Sequence, residues 1–133
     1  MRQPWKKEDY DLHVLYSRYY ELMYRLVRSQ LFSGLAHPNS LQCFGAYPEG
    51  AYHMEYEQIA KELKRNNMYV EQSSGLAINY GDTKMGMNSE MLRSMLKYEV
   101  PIVTASDAHV PENVGLLITE MNELIESEQV KRV

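Results

Sequence analysis

An alternation constrains this chain more than any other feature. Segments with apolar residues at the helical period are separated by three apolar runs too short to be helices. The first segment, residues ~8–30, carries Leu12, Leu15, Tyr16, Tyr19, Leu22, Met23, Leu26 and Val27 on one stripe and predicts a long amphipathic helix. The second, ~52–66, places Tyr56, Ile59, Ala60 and Leu63 together, and Asn66-Asn67 stops it. A third starts behind Asn88 or Ser89, with the stripe Met91, Leu92, Met95 and Leu96. A fourth starts near Pro111-Glu112, with Val114, Leu117, Ile118, Met121, Leu124 and Ile125. Between them, Leu31 to Ala36, Met68 to Glu71 and Val100 to Ala105 read as strands. Residues 38–51 and 72–88, with their Gly, Asn and Ser, read as loops. The order α-β-α-β-α-β-α predicts an α/β fold of about three parallel strands and about four helices, joined by right-handed crossovers.

At 133 residues the chain is long enough to bury a core, and with no repeat or linker it reads as one unit over 1–133. Net charge is −4 and no predicted helix carries a basic stripe, which argues against nucleic acid as a partner. No apolar run reaches the ~20 residues that span a bilayer, so no membrane partner is expected. The first residues, Met1 to Asp9, lack the apolar core of a signal peptide. Cys43 has no second cysteine to pair with, which suits a reducing compartment, and a cytoplasmic location is expected. The 11 tyrosines and 9 methionines read as packing material.

The chemistry gathers where the strands end. His37 closes the first run, Glu71 the second, and Asp107 and His109 follow the third. In parallel α/β sheets all strand C-termini lie at one rim, and sites are built there. Histidine and carboxylate together are ordinary ligands of zinc, manganese or iron. In Asp107-x-His109, an extended chain points both side chains the same way. Each residue also has a plainer reading. His37 suits a hydrogen-bonded structural histidine, Asp107 a turn or helix cap, and Glu71 a solvated strand end. His13 and His53 read as solvated. Cys43, in a loop with no base recognisable nearby, is not read as a nucleophile. Asp82 and Asn79-Tyr80-Gly81 read as a turn.

Three stretches, "GLAHPN" (34–39), "YVEQSSGL" (69–76) and "VPIVTASDAHVPENVG" (100–115), resemble the C-terminal part of the PHP phosphoesterase superfamily, in its histidinol-phosphatase branch. The resemblance spans roughly residues 15–128. It implies a distorted α/β barrel with two or three metal ions at the strand C-termini, hydrolysing a small phosphorylated substrate such as the histidinol phosphate of histidine biosynthesis. It makes His37, Asp107 and His109 metal ligands and puts Glu71 at the rim. Ser106 and Ala108 would shape the turn, with Pro111, Glu112 and Gly115 behind it.

The family also opens with a His-x-His strand, and none of the four histidines here forms one. The resemblance thus implies a half barrel without its N-terminal half, completed by that half or by self-association. One expectation is therefore a metal-dependent phosphatase represented by its C-terminal portion. The alternative is a catalytically impaired half domain, binding one metal or none and acting through protein contacts. A third reading is a small α/β interaction module whose polar rim is structural.

Overall fold

Asp11 opens the first helix: its carboxylate accepts the N–H groups of His13 (2.9 Å) and Val14 (3.3 Å), two donors that would otherwise be unpaired. The computed structural model describes residues 11–44, 50–81 and 86–131, without the Phe44 side chain. Residues 8–10 of the expected first helix, 45–49 of the expected loop and Asp82 lie outside the described residues. Helix α1 (Leu12–Arg28) leads into strand β1 (Gly34–Leu35) and a 3-10 turn (Ser40–Phe44). Helix α2 (His53–Arg65), strand β2 (Tyr69–Ser73), helix α3 (Gly75–Tyr80) and helix α4 (Ser89–Lys97) follow. Strand β3 (Ile102–Ala105), a second 3-10 turn (Pro111–Asn113) and helix α5 (Ile118–Val130) end the described chain. The mixed α/β expectation holds, with five α-helices and three strands among the described residues.

The three strands form one parallel sheet in the order β1-β2-β3, with Leu35 opposite Val70 and Ser73 opposite Ala105. Parallel neighbours need long crossovers, and α2 and the α3–α4 segment provide them. Each crossover ends the same way. Asn67 (φ +54°) and Glu99 (φ +55°) turn left-handed, and Met68 and Val100 then donate N–H groups back to Leu63 and Met95. This closure pairs the last helical carbonyls and aims the chain into the next strand.

The core lies between one face of the sheet and the helices. The α2 stripe is buried as expected at Tyr56, Ile59, Ala60 and Leu63, and so is that of α4 at Met91, Leu92, Met95 and Leu96. On α1 the buried seam is Tyr16, Tyr20, Met23 and Val27, while Leu22 and Leu26 are exposed. At about 100° per residue the four buried positions fall in line and the two leucines turn to the flank, so the expected stripe was too wide. Tyrosine and methionine do pack the interior: the Tyr20 and Tyr56 rings meet edge-on at 5.2 Å and their hydroxyls bond at 3.1 Å.

Three further expectations need correction. The loop expected over 72–88 contains α3, a helix of six residues, too short to show a period. Strand β2 continues two residues past Glu71, because Gln72 and Ser73 pair with Thr104 and Ala105. Glu71 is thus mid-strand rather than at the rim. The last helix begins at Ile118 rather than near Pro111. Leu117 is left-handed (φ +64°) and breaks the helical frame, leaving Val114 73% exposed. Only Met121 of the expected stripe is fully buried.

Side chains alternate across β2: Val70 and Gln72 face the helices, whereas Tyr69 and Glu71 face the other way. On that second face Val103 and the Tyr69 ring are exposed, and the ring lies so close over Gly34 that a Cβ there would fall 2.2 Å from it. No helix among the described residues is long and apolar enough to cross a membrane.

Candidate functional site

His37 follows β1 and holds a left-handed backbone (φ +26°), a conformation costly for a residue with a side chain. The turn behind it is tied down from several sides. The His37 carbonyl accepts the Ser40 N–H (3.1 Å) and the Ser40 hydroxyl (2.8 Å), and the same hydroxyl bonds His37 Nδ1. From α1, the Tyr19 hydroxyl donates to the Pro38 carbonyl at 2.9 Å. Burial pushes that hydroxyl up to about 12, against the backbone N–H groups of Leu41 and Ser40 that pull it down. Asn39, 2% exposed, donates its amide N–H to the Gly86 carbonyl at 2.6 Å.

Asp107 follows β3, also left-handed (φ +51°). Its carbonyl accepts two bonds, from His109 Nδ1 at 2.8 Å and from the Asn79 amide on α3 at 3.0 Å. Its carboxyl group lies over Gly75, where a Cβ would sit 2.7 Å from Oδ2, so only glycine allows this approach without movement. The carboxylate has no hydrogen-bond partner among the described residues. Ser106 accepts the Gly115 N–H at 3.2 Å and closes the loop that follows, a turn-shaping role like the one expected of it.

These ends meet. His37, Asp107 and His109, more than 70 residues apart along the chain at their extremes, line one cleft of about 350 Å³ with Ser40, Ser73 and Tyr80. It opens at the C-terminal ends of the parallel strands. Glu71 does not line it; Ser73, which ends β2, takes the position expected of Glu71. Cys43 does line it, and burial pushes its thiol up, which disfavours the thiolate a nucleophile needs. His13 and His53 lie away from it: His13 is exposed, with Nδ1 3.2 Å from the Tyr52 hydroxyl, and His53 is within 3.5 Å of both Glu57 and Glu90.

The donor chemistry of two imidazoles and an unbonded carboxylate suits a borderline divalent ion. The gathering is incomplete: among the described residues no three His, Cys, Asp or Glu side chains stand close enough to hold one ion. Sequence reasoning missed Ser40, Ser73, Gly75 and Asn79. Ser40, three residues after His37, carries the spacing of a hydroxyl turn motif, a signal that was there to be read.

No curated protein matches the chain. A protein-family model described as PHP-associated matches residues 88–130. The match takes in α4, β3, the Asp107–His109 turn and α5, so it holds two of the three donors and not His37. It covers about a third of the chain and fits a PHP-superfamily context for that part.

Proposed function

We propose that this chain carries part of a metal-dependent phosphoesterase site of the histidinol-phosphatase kind, set in part of a PHP-type barrel. His37, Asp107 and His109 would hold a divalent zinc, manganese or iron ion. Further donors would come from an N-terminal half of the barrel or from a second copy of the chain. One observation carries this reading: three candidate donors from two distant parts of the sequence, His37 and the Asp107–His109 turn, line one cleft at the C-terminal ends of parallel strands.

A divalent ion bound there supplies Lewis acidity toward a phosphoryl oxygen and toward water. Among the described residues the cleft is lined by no lysine or arginine. Asp107 and His109 share one tight turn that fixes them relative to each other. Leu76 and Tyr80 form a less polar wall, suited to the organic part of a small phosphate monoester.

The incomplete gathering of donors favours a second reading: an impaired half domain that acts through protein contacts. Titration calorimetry of the chelator-treated chain with zinc and manganese, beside His109→Ala, tests the metal site, and a turnover assay separates the two readings. His109 is exposed and its one described bond is local, so the variant keeps the fold. The phosphoesterase reading expects stoichiometric uptake, weakened at least about tenfold by the substitution. It also expects metal-dependent turnover of p-nitrophenyl phosphate once the missing half is supplied. No uptake by either protein would discard the metal site and leave the interaction reading.

A further inference from the structure

The bonds around the two candidate imidazoles decide which ring nitrogen carries hydrogen. A backbone carbonyl only accepts, so the 2.8 Å contact between His109 Nδ1 and the Asp107 carbonyl requires hydrogen on Nδ1. His37 needs one more step. The Ser40 hydroxyl has a single proton and touches both the His37 carbonyl (2.8 Å) and His37 Nδ1. The carbonyl has no proton to offer, so the hydroxyl donates to it. The ring must then donate to the hydroxyl oxygen. Reversing the pair would leave two oxygen atoms facing each other with no hydrogen between them.

We propose that Ser40 is a positioning residue that fixes His37 as its Nδ1–H tautomer, while the Asp107 carbonyl does the same for His109. Both rings then present an unprotonated Nε2. This rests on reading the two histidines as ligands only for its consequence, that a metal meets a bare nitrogen on each. The tautomers themselves are properties of this chain without any ion. Free histidine side chains favour the opposite, Nε2–H form, so the preset is an imposed state with a measurable signature.

The test is long-range proton–nitrogen correlation on the full ¹⁵N-labelled, chelator-treated chain at about pH 8.5, above the ordinary histidine range. With four histidines the spectrum is assignable by substitution, and a short unstructured histidine peptide at the same pH serves as the reference. The wild type is expected to show the Nδ1–H pattern for His37 and His109. Ser40→Ala should shift His37 alone toward Nε2–H, and Ser40→Thr, which keeps the hydroxyl, should restore the wild-type pattern. An Nε2–H pattern for His37 in the wild type, or one unchanged in Ser40→Ala, overturns the assignment. The wild-type spectrum alone is decisive if the alanine variant does not fold. Zinc added afterwards separates the two levels. Nδ1–H rings with no zinc uptake would end the ligand reading and leave Ser40's role standing. Zinc uptake with His37 in the Nε2–H form before zinc is added would do the reverse. Where both hold, Ser40→Ala should weaken zinc binding by about 10–100-fold.

Discussion

Gly75→Ala should separate the stability of the fold from the geometry of the cleft. The added Cβ would fall 2.7 Å from Asp107 Oδ2, 2.8 Å from its Cβ and 3.2 Å from its Cγ. Non-bonded contacts to carbon settle near 3.5 Å, so the Asp107 side chain has to retreat by roughly 0.7 Å. Two terms then oppose each other. Crowding of this kind costs about 1–3 kcal/mol, at the low end here because Asp107 is exposed and on a loop. Alanine in place of glycine returns about 1 kcal/mol in a helix interior and less at Gly75, the first residue of α3. Urea denaturation should therefore put the variant within about 1 kcal/mol of wild type. The cleft does not share this cancellation. Misplacement by about 1 Å costs on the order of 10²-fold in a reacting site, and the group displaced here is the Asp107 carboxylate itself. Zinc binding should fall by about tenfold or more. A stability loss above about 3 kcal/mol would refute the reasoning, because Asp107 would then be rigid. Unchanged zinc binding would refute its second half, because the carboxylate would then have no part in the site.

Two further predictions concern the frame behind the cleft. Asn88 caps α4 by accepting the Met91 N–H at 2.9 Å and donates to the Tyr56 hydroxyl at 3.2 Å, so Asn88→Ala should cost about 2 kcal/mol in a urea melt, with Asn88→Asp, which keeps the cap, losing less. Tyr19, raised from 10 to about 12, favours the fold fully below pH 10 and loses that contribution as pH climbs toward about 12, so the alkaline stability loss between those values should be shallower in Tyr19→Phe; equal slopes would place the alkaline transition elsewhere.

The legible parts of the fold were those where one pattern acted alone. Helices α2 and α4 each bury one narrow stripe against the sheet side, and the period gave all four residues of each. The parallel pairing of the strands followed from their alternation with helices. The reading failed where tertiary pairing overrode local character. Gln72 is polar, yet fully buried, because β3 pairs with it and the Met87 N–H donates to its amide oxygen at 2.7 Å. Glu71 therefore looked like the end of a strand that runs on. Leu117 gave no sign of the left-handed turn that displaces α5. The site divided the same way. That His37, Asp107 and His109 share one cleft could be read because topology places strand ends together. The residues that orient them, Ser40, Asn79 and Gly75, act through contacts made only once the chain has folded.

The position of Glu71 bears on what could cover the second face of the sheet. Parallel sheets are normally covered on both faces, since each face carries side chains that gain from leaving water. Here the helices that carry the core stripes, α1, α2 and α4, pack on the Val70 and Gln72 side, while Tyr69 and Val103 are exposed on the other. Glu71 sits between those two, half-buried, paired in register with Val103. A purely apolar cover would strand its carboxylate, and an uncompensated buried charge costs several kcal/mol. A cover that suits this face therefore has to bring apolar side chains to Tyr69 and Val103 and a cation or hydrogen-bond donors to Glu71. The same cover borders the cleft rim through Ser73, two residues along β2 on the same side. Under the proposed reading, a part that adds donors beside His37, Asp107 and His109 would be well placed to compensate Glu71 as well. Removing that carboxylate by Glu71→Gln should leave the stability of the isolated chain nearly unchanged and, if the proposed reading holds, weaken association with an N-terminal half or a second copy, read by analytical ultracentrifugation.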